Sequence, residues 1–194
     1  LSKRITSNQH NPGREIQSIA EASLGQWSST WGDYAVNHSV NIYSEGYMTS
    51  LALDFDLLSQ TQLNHSYRDV HKKLYQDFKV PMGYNVDDVK NILKGLTGKD
   101  YQAWWQQHVS SPVTLDFDAM LLLAGLQIGY DKDQQNIVDA GLTLTGSHND
   151  LTIANVRREG PAWHAGVNAG DEIIAVNGLK VTASGWDKRL ADFK

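Results

Sequence analysis

The side chains that bear on chemistry are the histidines and a few phenol, carboxylate and guanidinium groups in the first quarter of the chain. The seven His residues stand at 10, 38, 65, 71, 108, 148 and 164. None is followed by Glu, and no two are spaced i, i+4, the separation that puts both imidazoles on one helix face for a metal. His65 and His71 are six apart and would point in different directions from a helix. Cysteine is absent, which excludes disulfides and thiolate metal sites. Tyr43, in NIYSEG at 41–46, carries a phenol, a neutral donor at pH 7 that can stabilise charge building on an oxygen. On the residues alone, packing against the helix it precedes is the favoured reading of that ring. Glu21 reads as a solvated or capping carboxylate, since charged side chains are mostly exposed. Arg14 reads as a loop anchor through a carboxylate pair. The six Trp residues read as core and interdomain packing, with Trp104-Trp105 placing one ring inward and one outward.

Composition narrows the classes. A length of 194 residues fits one or two domains, and 41% hydrophobic with 20% charged residues suits a chain that buries a core. Net charge is −5 and no Lys/Arg cluster is present, which argues against a nucleic-acid partner. No apolar run reaches the roughly 18–20 residues that cross a bilayer. The longest, AMLLLAGL at 119–126, reads as a buried helix. Lack of cysteine leaves the compartment open, cytoplasmic or periplasmic, and nothing sets the oligomeric state.

Residues 14–126 read mostly as helices. The stretch 14–27 carries Ile16, Ile19, Ala20, Leu24 and Trp27 near a 3.6 period, and 44–60 carries Tyr47, Leu51, Phe55 and Leu58 on one stripe. Ser66 caps a helix to Phe78 with Asp69 three residues on, and its stripe is Tyr67, Val70, Leu74 and Phe78. Asn85 caps Val86 to Leu93, and 99–109 forms a further helix. VTLDF at 113–117 suits a strand or a loop. The polar stretch 125–141 marks a boundary, after which LTLTGSHNDLTIANV alternates as strands joined by a turn at 146–150.

Residues 159–178, EGPAWHAGVNAGDEIIAVNG, resemble the middle of a PDZ domain. Gly160-Pro161 breaks a strand, 162–165 forms a short helix, and Gly166 ends it with a left-handed cap. Gly170-Asp171 leads into a strand, Glu172 to Val176, and Asn177-Gly178 suits a tight turn. Residues 184–193 make a helix with Ser184 as N-cap. PDZ domains take extended peptides, usually C-termini, by adding a strand to a sheet edge. The resemblance places a terminal carboxylate at Gly141, in a weakened Ala140-Gly141-Leu142 loop, and pairs the peptide with a strand at 142–145. Trp186, Arg189, Leu190 and Phe193, at i, i+3, i+4 and i+7, form a groove wall or simply pack on the sheet.

Ordered motifs in the helical part carry a second resemblance. They run from GR, QSIAEAS and a Trp at 13–27 through NIYSEG at 41–46, LDF at 53–55 and SYRDV at 66–70. GYNVDDV at 83–89, LTGKDYQAWW at 96–105 and LDFDAMLLLAGL at 115–126 follow. This order resembles the C-terminal half of the glycyl aminopeptidase family of zinc metallopeptidases, which end in a PDZ domain. The implied architecture is mainly α-helical, a thermolysin-like C-terminal subdomain at 1–130. A linker at 131–138 leads to a small α+β PDZ-like domain at 139–194, incomplete at its C-terminus. Leu1 is not an initiator Met and the PDZ pattern stops before its closing strands, so an internal fragment is expected.

The resemblance implies a parent aminopeptidase that removes small N-terminal residues such as Gly or Ala from peptides. Its zinc would be held by an HExxH motif upstream of Leu1; this chain has no HExxH and is expected to bind no zinc and to be inactive alone. Tyr43 falls where the family has Tyr-x-Lys-Gly, which makes it the catalytic candidate, a donor to the tetrahedral intermediate. Glu45 stands where the family has Lys, a charge reversal beside that site. It keeps open a non-catalytic relative whose PDZ domain recruits peptides while the helices serve as scaffold.

Overall fold

The computed structural model describes residues 1–27, 33–112, 115–129, 138–146 and 150–193. Among these the α-helices are, in chain order, α1 (Ser2–Gln9), α2 (Ile19–Gly25), α3 (Asp33–His38), α4 (Ile42–Gln60), α5 (Tyr67–Asp77), α6 (Val86–Thr97), α7 (Gln102–His108), α8 (Phe117–Leu122), α9 (Pro161–His164) and α10 (Trp186–Leu190). The strands are β1 (Leu142–Thr145), β2 (Thr152–Val156), β3 (Ala175–Val176) and β4 (Leu179–Lys180). Two compact units result. One holds residues 1–10, 14–27 and 40–128; the other holds 11–13, the stretch ending at Ser39, and the chain from Gly129 on. The expected linker at 131–138 lies, except for its last residue, outside the described residues. Among the described residues no helix is long and apolar enough to cross a membrane.

The helical unit is organised by its longest helix, α4. Met48, Leu51, Ala52 and Phe55 of α4 pack with Ile5, Leu115, Phe117, Met120 and Leu121. Leu53 and Leu57 pack instead with Val70, Ile92, Leu93 and Tyr101. A helix buried on two sides is apolar on more than one face. The expected single stripe is therefore only part of the core: Leu51 and Phe55 pack on the first cluster, but Met48, Leu53 and Leu57 are the buried positions and Tyr47 is 44% exposed.

Local caps set several helix ends. Asn85 Oδ1 accepts the Asp87 and Asp88 N–H groups at 2.8 and 3.1 Å, and α6 closes at left-handed Gly98. Asp69 Oδ2 accepts the Ser66 N–H at 3.0 Å at the start of α5, whose Tyr67, Val70 and Leu74, with Phe78 at its C-cap, all pack in the second cluster. The helix expected over 14–27 begins later. Ser18 Oγ accepts the Glu21 N–H, and Glu21 Oε2 accepts the Ser18 N–H at 2.8 Å, a reciprocal box that starts α2 at Ile19. With the phase reset, Leu24 and Trp27 stand in solvent, 92% and 93% exposed, so Trp27 is not a packing residue. The AMLLLAGL stretch is buried on one side only: Met120 and Leu121 are in the core, and Leu122, Leu123 and Leu126 are exposed. Phe117 opens α8, and residues 113–114 of the expected strand or loop lie outside the described residues. Trp104 packs on the second cluster, and both it and Trp105 are half-buried.

In the second unit β1 and β2 pair antiparallel, Leu142 opposite Val156 and Thr145 opposite Thr152, with a bulge between Thr143 and Leu144. On its other side β2 is bonded to the segment after Gly170, Ile153 N–H to Asp171 C=O at 2.9 Å and Ile173 N–H to Leu151 C=O at 2.8 Å. The strand expected from Glu172 to Val176 is thus a bridge at Glu172 and a short β3. Asn177 and Gly178, both at positive φ, make the two-residue turn from β3 to β4. Gly160, Pro161 and left-handed Gly166 bound α9. Residues 183–193 form a 3₁₀ turn, α10 and a second 3₁₀ turn; the N-cap is Gly185 rather than Ser184.

A contact from far upstream completes this unit. Asn37 on α3 is 1% exposed. Its Nδ2 donates to Val156 C=O and its Oδ1 accepts the Arg158 N–H, both at 2.7 Å. One side-chain amide extends the ladder of β2 past its end. Asn37→Ala should remove the bonds to the Val156 C=O and the Arg158 N–H and destabilise the unit by about 2–3 kcal/mol. Faster hydrogen exchange at the Arg158 amide would report it.

In the helical unit Tyr101 Oη donates to Asp56 Oδ2 at 2.6 Å, and burial, then Asp56, pushes the phenol above its usual range. Nearby, burial holds His108 below the ordinary histidine value, against the pull of Asp56. The folded state therefore favours the neutral ring, and the unfolded state takes up the proton first as pH falls. That contribution is present above the unfolded value of about 6.5 and is lost as pH falls through the lower folded value. In urea midpoints compared between neutral and acidic pH, His108→Phe should show a shallower loss of stability than the unaltered chain.

Candidate functional site

Tyr43 sits in the first turn of α4. Asn41 starts that helix: its Oδ1 accepts the Tyr43 and Ser44 N–H groups at 3.1 and 3.0 Å. The Tyr43 side chain is 72% exposed, and its phenol has no hydrogen-bond partner among the described residues. Glu45, two residues on, points the other way and is 2% exposed. Residues at i and i+2 lie on nearly opposite sides of a helix. The charge reversal noted in the sequence is therefore turned into the protein, away from the phenol.

Burying that carboxylate requires partners. Arg14 Nε donates to Glu45 Oε1 at 3.0 Å, and Asn8 Nδ2 donates to Oε2 at 2.5 Å. Arg14 is itself 8% exposed and Asn8 6%. Arg14 is the expected loop anchor, and Glu45 is the carboxylate it holds. The knot joins α1, the 3₁₀ turn at Pro12–Glu15 and α4, and fixes the rotation of the helix that bears Tyr43. Glu21, by contrast, is spent on the Ser18 cap, which holds its carboxyl below the usual range through the Ser18 N–H and hydroxyl.

A cleft of about 420 Å³ that no sequence signal marked opens further along α4. Tyr47, Leu51 and Asp54 line one side, and Tyr67, Arg68 and His71 of α5 line the other. Tyr47 follows Tyr43 at i+4, so the two phenols lie on one face, about 6 Å apart along the axis. Asp54 Oδ1 accepts the Tyr67 N–H at 2.7 Å, which ties α5 to α4 and leaves the Arg68 side chain exposed. The i, i+4 spacing from Tyr43 was visible; the approach of α5 was not.

The groove residues belong to the second unit. Gly141 is buried at φ +73°, and its N–H donates to Asp139 Oδ1 at 2.8 Å. A Cβ there would meet Gly160 Cα at 3.3 Å, so the position favours glycine for close approach as well as for its backbone angle. Leu142 is different. Arg157 N–H donates to Gly141 C=O, which makes Leu142 and Val156 a non-hydrogen-bonded pair and turns the Leu142 N–H and C=O towards the open edge of β1. Trp186, Arg189 and Leu190 are half-buried, and Phe193 is 46% exposed. Arg189 is paired with Asp192 at 2.6 Å.

Among the described residues no three His, Asp or Glu side chains gather as a metal site, and His148 lies outside them. The described residues by themselves do not supply a zinc centre.

Comparison with known proteins falls on the same two parts. Residues 1–49, with Arg14, Tyr43 and Glu45, match the model of the M61 glycyl aminopeptidases. Residues 152–189 match that of the PDZ domain, a span that starts beyond Gly141 and Leu142 and ends at Arg189. The chain is similar to glycyl aminopeptidases and to PDZ domains. A crystal structure of an aminopeptidase N family protein from Idiomarina loihiensis superposes on 97% of this chain at 25% identity with a TM-score of 0.87. The chain spans 35% of that protein's length. No curated protein sequence matches it. The chain is thus peptidase-related, mainly helical with a small α+β PDZ-like part.

Removing Glu45 should be costly. Glu45→Ala removes the buried carboxylate that accepts from Arg14 Nε and Asn8 Nδ2, a loss of about 3–5 kcal/mol. Chemical denaturation would measure it, and a change within error would show that the pair does not hold α4.

Proposed function

We propose that the protein of which this chain forms part is an aminopeptidase that hydrolyses N-terminal small residues, Gly or Ala, from peptides, with Tyr43 as a transition-state donor. When water attacks the scissile carbonyl, negative charge develops on its oxygen. A phenol held rigidly beside that oxygen stabilises the charge by one hydrogen bond and returns unchanged. The observation that carries this reading is the pairing of an exposed phenol, without a partner among the described residues, with a helix start locked by Asn41, Arg14 and Glu45. Zinc, the family's metal, would have to be held by residues outside this chain. The cleft beside Tyr47 would extend the substrate path along the same helix face.

The PDZ-like unit would take an extended peptide at the open edge of β1, where Leu142 offers both main-chain groups. Trp186, Leu190 and Phe193 would supply apolar surface for the peptide's side chains.

The test is Tyr43→Phe in the metal-bearing peptidase. It keeps the ring, and turnover should fall by about 10²–10³-fold with little change in KM or in melting temperature. Turnover near the unaltered value would remove Tyr43 from the reaction and favour a non-catalytic, peptide-recruiting protein.

A further inference from the structure

We propose that Asp139 sets the PDZ-like unit against free peptide C-termini, so that the β1 edge takes internal extended segments. The inference rests on the peptide-binding reading above and adds which peptides that edge accepts.

The loop before β1 already holds a carboxylate, the chain's own. Asp139 Oδ1 accepts the Gly141 N–H at 2.8 Å, and Asp139 Oδ2 accepts Arg157 Nη2 at 2.7 Å. Both groups that a terminal carboxylate would seek at this loop, a backbone donor and a cation, are therefore engaged. Arg157 is anchored in turn by its own N–H, which donates to Gly141 C=O at 2.8 Å. Gly141 is packed on Gly160 and Pro161, with a Cβ position only 3.3 and 3.4 Å from their atoms, so the loop has little room to turn a second N–H outward.

An incoming terminal carboxylate would find the Gly141 N–H and the Arg157 guanidinium already taken by Asp139, and would have to displace that carboxylate or sit as a second negative charge beside it. A peptide that continues past this point brings no such charge. Its main chain needs only the Leu142 N–H and C=O, which face the open edge; the bulge beyond Thr143 puts its extra residue, Ala154, on β2 and not on the edge strand. Main-chain pairing supplies affinity whatever follows at the peptide's C-terminus.

The test uses the full chain and a library of short extended peptides, each made as free acid and as C-terminal amide. Equal affinity for the two forms is expected. Asp139→Ala, which frees the Gly141 N–H and Arg157, should then favour the free acid by about tenfold, the worth of a charge-assisted hydrogen bond. Asp139→Asn keeps an acceptor for Gly141 without the charge, and should show a smaller preference if the alanine variant does not fold. A free-acid preference in the unaltered chain, or none in either variant, overturns the proposal.

Sodium acetate separates this from the reading it rests on. Its titration should leave the Gly141 and Leu142 amide resonances of the unaltered chain in place and shift them in Asp139→Ala. If that pattern holds while no peptide binds in either form, the strand-addition reading fails and Asp139 still blocks carboxylates. If acetate shifts the unaltered chain, the block itself is wrong.

Discussion

The Arg14–Glu45 ion pair ties three stretches of the helical unit to one carboxylate. A buried charge without partners is too costly to persist, so Glu45 can enter the interior only where Arg14 and Asn8 meet both its oxygens. That condition leaves α4 one rotation about its axis. With it, Met48 turns to the cluster around Phe117, Leu53 and Leu57 turn to the cluster around Leu93, and Tyr43 turns to solvent. The two-sided burial of α4 and the exposure of the candidate phenol are consequences of one constraint.

The second unit meets a different problem. Its strands are short, and β2 is extended beyond its own ladder by a side chain from far upstream. Asn37 bonds both the Val156 C=O and the Arg158 N–H with one side-chain amide that copies the spacing of a peptide group. Gly13 passes so close to Ser39 that its Cβ would lie 2.1 Å from the carbonyl oxygen. Upstream segments are thus part of the PDZ-like unit, and β1 is left with the free edge on which strand addition depends.

Much of the fold was legible where one turn of chain decides the outcome. Ser66 with Asp69, Asn85 with Asp88, Gly160-Pro161 and Asn177-Gly178 act through bonds to their own neighbours, so their pattern is their structure. The exposure of Trp27 was missed although its cause was local. Ser18 and Glu21 are three apart and restart the helix, but an apolar period read across 14–27 hides that restart.

The sequence by itself determined the helical-then-PDZ order, the family resemblance, the lack of a metal-ligand pattern and the candidacy of Tyr43. These rest on residue type and spacing along the chain. Only the tertiary structure decided what Glu45, Asn37, Asp139 and Gly141 do. A carboxylate reads the same in sequence whether it lies beside an active site or beneath Arg14, and Asn37 bonds to residues 119 and 121 positions away. Asp139 and Gly141 are near neighbours, yet the meaning of their bond comes from Arg157 across β2 and from Gly160 and Pro161 behind the loop. Charge and amide groups take their role from the partner that burial brings to them, and that partner is set by how the chain packs.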